Sequence, residues 1–99
     1  MADLNLKGKI RLNGLFFGNM RKKNVVYANG EMVPYGHFNQ TDYTWGYKGG
    51  GPYALAEGIV AVMNLPKETF QKIYDIVSDI PMDKNFRKTI SYRTLGIAA

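Results

Sequence analysis

The chain has 99 residues, 45% of them hydrophobic and 13% aromatic, and contains no cysteine. This is the length of one domain with enough apolar surface for a core, which excludes a disordered tail, a disulfide framework, a thiolate nucleophile and a zinc–cysteine site. The formal net charge is +5, unevenly spread: residues 1–50 hold seven Lys/Arg against three acids, residues 51–99 six against five. Such a bias points to an anionic partner, whether nucleic acid, nucleotide or an acidic protein surface, with a generically basic domain as the plainer reading.

The opening MADLNLKGKI carries no apolar run of signal-peptide length, and no stretch approaches the ~20 apolar residues of a membrane span. The expectation is therefore a cytoplasmic protein with no membrane contact, a setting that the absence of cysteine also fits. A core this small is marginal by itself, which favours association with a partner or a second copy.

In chain order, Lys9 to Phe17 alternates, with Ile10, Leu12 and Phe16 on one face and Lys9, Arg11 and Asn13 on the other. That is the period of a half-buried strand, and Lys7 extends its outer row. Arg21, Lys22 and Lys23 read as a basic loop before a second strand over Asn24–Ala28. Asn29-Gly30 is a strong type I′ hairpin signal, because both residues tolerate positive φ. Glu31 to Tyr35 then reads as the return strand, with Pro34 at an edge or an end.

After a polar loop over Gly36 to Thr44, a first helix is expected over about Pro52 to Met63, closed by a left-handed Asn64 and stopped by Pro66. Pro66 opens a second helix reaching Ser78, with Phe70, Ile73, Tyr74 and Val77 on one face and a Glu68–Lys72 pair on the other. Residues 86–95 read as a final strand, with a short helix as the alternative. The expected fold is α+β: one domain over 1–99, an antiparallel sheet of three to four strands with a two-helix hairpin packed on one face.

The most unusual stretch is Trp45-Gly46-Tyr47-Lys48-Gly49-Gly50-Gly51-Pro52, running into the first helix. Consecutive glycines permit close backbone approach, and a helix N-terminus with a lysine beside it favours an anion. Trp45 and Tyr47 offer flat surfaces on which a base could stack. Trp45, Tyr47, Lys48, Gly49, Gly50 and Gly51 are thus candidate ligand-binding residues. The competing reading makes the segment a tight strand-to-helix turn with Trp45 in the core. It is neither a Walker A loop, lacking Gly-Lys-Ser/Thr, nor the start of a Rossmann unit.

The order of the Val26-Tyr27 strand, the Asn29-Gly30 turn and the Trp45, Gly46, Tyr47, Gly49, Gly51, Pro52 block before Leu55, Ala56 and Ile59 resembles a family of small bacterial and phage domains of unknown function. The resemblance runs from about Leu15 to Pro81. Gly50 stands where that family more often has Ser, and residues 86–95 do not follow its pattern. The family lends no activity, but it implies a phage, prophage or plasmid setting and a host-cell cytoplasm, where such proteins bind and redirect host machinery.

Catalysis finds little footing. His37 is the single histidine, Ser78 and Ser91 have no base nearby in sequence, and Asp42 and Glu57 are the carboxylates closest to the glycines. No catalytic residue, metal site or cofactor is expected. Lys7, Lys9, Arg11, Arg21, Lys22 and Lys23 form a candidate basic face, the alternative being charges that blunt sheet aggregation. The leading expectation is a non-enzymatic, phage-type binding protein engaging an anionic ligand, a nucleotide or nucleic acid, or a host protein–nucleic acid complex. An inhibitor of bacterial defence such as an anti-CRISPR is one version of it. The alternative is a purely protein–protein or oligomeric module.

Overall fold

Strand β1 begins earlier than the alternation from Lys9 suggests, at Asp3, and runs to Phe16. The computed structural model describes residues 3–16, 19–34, 43–82 and 84–97, and of residues 11–16 and 19–23 the backbone alone. The early start follows from Leu4 and Leu6, both buried in the core, while Asp3 and Asn5 are exposed between them. Full burial of each leucine stabilises the fold by about 1.5–3 kcal/mol, enough to hold the strand's first residues in register.

β1 pairs antiparallel with β2, Asn19–Ala28. Arg21, Lys22 and Lys23 therefore belong to a strand and not to the expected loop, with Lys23 opposite Arg11 and Lys22 opposite Leu12. From Leu12 to Leu15 the register advances three residues on β1 but two on β2. One extra residue is accommodated near Asn13-Gly14, a bulge that interrupts the strict alternation read from the sequence.

The hairpin after β2 has the expected backbone, with φ of 50° at Asn29 and 86° at Gly30. Asn29 Oδ1 also accepts a hydrogen bond of 2.7 Å from the Asn5 N–H, pinning the turn to β1. β3 is short, Glu31–Met32, although the Val33 N–H still donates to the Val26 carbonyl at 2.7 Å. Pro34 then has no N–H to continue the ladder. Tyr35, His37 and Asp42 lie outside the described residues.

The buried ring of Tyr43 completes this edge. Its hydroxyl accepts from the Val26 N–H at 3.0 Å and donates to the Val33 carbonyl at 2.8 Å. The phenol thus stands in for the reciprocal ladder bond, from the Val26 N–H to the Val33 carbonyl.

Helix α1 spans Gly50–Val62, two residues ahead of the expected start. Its first backbone bond runs from the Tyr53 N–H to the Gly49 carbonyl, 3.0 Å, so Pro52 occupies the third helical position. Proline is tolerated there because an N–H in the first turn has no intrahelical acceptor. At the other end, Asn64 adopts φ 52°, the Leu65 N–H bonds the Val60 carbonyl and the Asn64 N–H that of Ala61. This is the Schellman closure that a left-handed Asn64 implies. A short 3-10 turn, Lys67–Thr69, precedes helix α2, Phe70–Ser78. Lys72 reaches the Thr94 carbonyl at 3.5 Å and makes no ion pair with Glu68.

Phe86–Ser91 forms β4, followed by turns that bury Leu95. β4 pairs with β1, so the sheet order is β3-β2-β1-β4. The helices cover one face: Leu4, Leu6, Val26, Ala28 and Ile90 meet Leu55, Ile59, Ile73 and Val77 in a single core cluster. Gly58 faces the chain beyond β3, where an added Cβ would lie 2.7 Å from Val33 and 3.0 Å from the Pro34 carbonyl. The fold is α+β, as expected, and among the described residues no helix lies on the sheet's other face.

Candidate anion-binding face

The glycine segment is largely consumed by packing. Trp45 is 2% exposed, set edge-on to Phe86 with centroids 4.9 Å apart, and its Nε1–H donates to the Lys84 carbonyl at 3.1 Å. Its ring faces are occupied by the core, as in the tight-turn reading. Gly46 has φ 98°, donates its N–H to the Val77 carbonyl, and passes so near Met82 that an added Cβ would lie 2.6 Å from that backbone. The Tyr47 ring lies over Gly49, and Thr44 Oγ1 sits over Gly51 while donating to the Tyr47 hydroxyl at 3.0 Å. Gly50 alone of the three consecutive glycines has open space where a Cβ would be.

Lys48 does not lean over the helix N-terminus. It pairs with Asp75 of α2 at 2.5 Å and lies 5.2 Å from the centre of the Tyr74 ring. The hydrogen bond to Asp75 raises the Lys48 pKa, and the same bond, with a second from Gln71, holds the Asp75 carboxyl below its usual range. Its charge is answered within the protein. Of the six candidate ligand-binding residues, the fold brings Tyr47, Gly49 and Gly51 together, buries Trp45 and turns Lys48 toward α2.

The sheet face away from the two helices is a different environment. Register aligns Met32, Tyr27, Lys7 and Arg87 in one row across all four strands. The next row pairs Lys9 with Val25, a residue buried yet outside the core cluster. On the other side Asn5 pairs with Thr89, whose hydroxyl donates to Asn5 Oδ1 at 2.9 Å. An open groove of about 520 Å³ runs over this surface, lined by Lys7, Lys9 and Arg87 and, at the β4 edge, by Lys88, which pairs with Leu6 on the sheet's other face; no carboxylate among the described residues lines it. No ion pair engages these four cations among the described residues. The charge of Lys9, then that of Arg87, pushes the Lys7 pKa down, the mark of uncompensated positive charge.

The predicted basic face is thus brought together at Lys7 and Lys9. The backbone ladder continues through the pair Arg11–Lys23, but the side chains of Arg11, Arg21, Lys22 and Lys23 lie outside the described residues. Arg87 and Tyr27 join this surface without having been expected there. The alternation of Phe86 and Ile90 signals Arg87 and that of Val26 and Ala28 signals Tyr27, but nothing local tells that β4 docks beside β1.

A second cavity, about 400 Å³, lies between α2 and β4, where Asp75 and Asp79 face Arg87 and Lys88. Its charges are mixed, so it offers an anion much less. Among the described residues no group of three His, Cys, Asp or Glu is placed to hold a metal, and no helix is long and apolar enough to cross a membrane. No protein-family model matches the chain, and no curated protein or solved structure matches it. Fold and surface therefore define its class: a small α+β domain whose two described helices cover one sheet face, with a cationic groove on the other.

Proposed function

We propose that the protein is a non-enzymatic binding module that holds an anionic partner on the open face of its sheet. The observation that carries this reading is the groove in which Lys7, Lys9 and Arg87 meet with no carboxylate among the described residues of its wall. Keeping like charges adjacent costs folding free energy unless a partner neutralises them, so a site of this kind fits binding better than stability. The resemblance of the Trp45–Pro52 block to small phage and bacterial domains adds a setting: a host-cell cytoplasm, with a host protein–nucleic acid complex as target. Inhibition of a bacterial defence system is then the biological outcome.

Inorganic polyphosphate provides a direct test. Its affinity should fall steeply with salt, with a log–log slope of about −2 to −3 if three phosphates are neutralised. Reversing Lys7, Lys9 and Arg87 to Glu should abolish binding without unfolding the protein. An affinity insensitive to salt and to that triple reversal would remove the proposal.

A second reading has its own observation. Tyr53 is half-exposed on α1, edge-on to Phe70 at 4.8 Å and to Tyr74 at 5.9 Å, with exposed Tyr47 on the loop before α1. Aromatic surface of this kind is enriched at protein interfaces. Tyr53→Ala and Tyr47→Ala should then reduce capture of a protein partner while leaving polyphosphate binding intact.

A further inference from the structure

We infer that the anionic partner is single-stranded nucleic acid, with a base stacked on Tyr27 and its flanking phosphates held by Lys7, Lys9 and Arg87. This rests on the reading just given and narrows it. Tyr27 is half-buried on the outer face, directly between Met32 and Lys7 in the row across the sheet, so its ring is held by neighbours yet reachable. An aromatic ring flanked by cations is the minimal platform for an unpaired base, because every base has a π-face and every linkage a negative charge.

The spacing separates this partner from other anions. Lys7 and Lys9 stand two residues apart on one strand, about 6.8 Å, and Arg87 lies across the ladder from Lys7 at roughly 4.8 Å between strands. The cations cover more than one phosphate, which argues for a polymer over a mononucleotide. In a duplex the base faces are already stacked on one another, and Tyr27 would meet only edges and backbone. An acidic peptide would satisfy the lysines but leave the ring without a role. Asn5 and Thr89, bonded to each other beside the row, present further polar groups to sugar or base edges.

The test compares three probes at one salt concentration: oligodeoxythymidine of about 12 nucleotides, a duplex of equal length and polyglutamate, the length being chosen to exceed the contact span of a single small domain. The single strand should bind most tightly. Tyr27→Ala should weaken it by about fivefold to a hundredfold, and Tyr27→Phe should retain it, while polyglutamate is unaffected by either. Tyr27→Leu keeps apolar bulk in the strand without a π-face, and should behave as Tyr27→Ala even if the alanine variant fails to fold. Equal binding of the single strand and polyglutamate, with both indifferent to Tyr27, would overturn this inference and leave the anion-binding reading standing. A duplex preferred over the single strand would overturn it too. Failure of all three probes to bind would remove both.

Discussion

The approach to α1 and the outer sheet face both set a tyrosine beside a lysine, yet they use them in opposite ways. At the approach, Tyr47 covers Gly49 and Lys48 is tied to Asp75, so ring and charge are spent on contacts within the protein. On the sheet, Tyr27 and Lys7 are neighbours in a row that ends in Arg87, and the charges repel each other with no ion pair among the described residues to answer them. An eye-catching composition marks a demanding backbone geometry. Capacity for a partner shows instead in what the fold leaves uncompensated.

The comparison breaks first at Gly46. With φ 98° and Met82 backbone against its missing side chain, Gly46→Ala should cost about 3 kcal/mol in a urea unfolding titration. A cost near zero would mean that the segment is not built for packing. Tyr43→Phe comes next. It strips the hydroxyl joining Val26 and Val33, leaves a buried N–H and carbonyl without partners, and should cost about 1–3 kcal/mol by the same measurement.

Gly50 provides the sharper contrast. Its added Cβ meets nothing, it has no positive φ, and it opens a helix, so Gly50→Ala should leave the protein unchanged or up to about 1 kcal/mol more stable. A ligand seated at this helix N-terminus would instead reveal itself as lost polyphosphate affinity in that variant.

Lys48→Ala should have the smallest effect, since its pair with Asp75 is exposed. The sign of its pH dependence is fixed. Asp75 titrates below its unfolded value, so the pair's small contribution is present above that value and lost as pH falls through the lowered one. Melting temperature against pH should show a slightly flatter acid limb in Lys48→Ala, and no change in polyphosphate affinity.

Much of this architecture was legible in the sequence because its cues are local. Asn29-Gly30 needs positive φ at both residues, Asn64 before a proline closes a helix, and the spacing from Phe70 to Val77 selects one helical face. What escaped depends on distant partners. Leu4 and Leu6 sit too near the chain's start to establish a period by themselves. Tyr43 looked like part of a polar loop until its hydroxyl was seen to bridge Val26 and Val33. The candidate surface was half legible: Lys7 and Lys9 follow from alternation, whereas Arg87 joins them through a pairing with Lys7, eighty positions away in sequence.

The central claim is that an anion is received by the sheet and not by the start of α1. Amide chemical-shift mapping during titration with polyphosphate tests it most directly. The account predicts that the largest shifts fall on Lys7, Lys9, Tyr27 and Arg87, with Gly49, Gly50 and Gly51 nearly still. Shifts centred on Gly50 and Gly51, with the β1 and β4 amides unmoved, would contradict it.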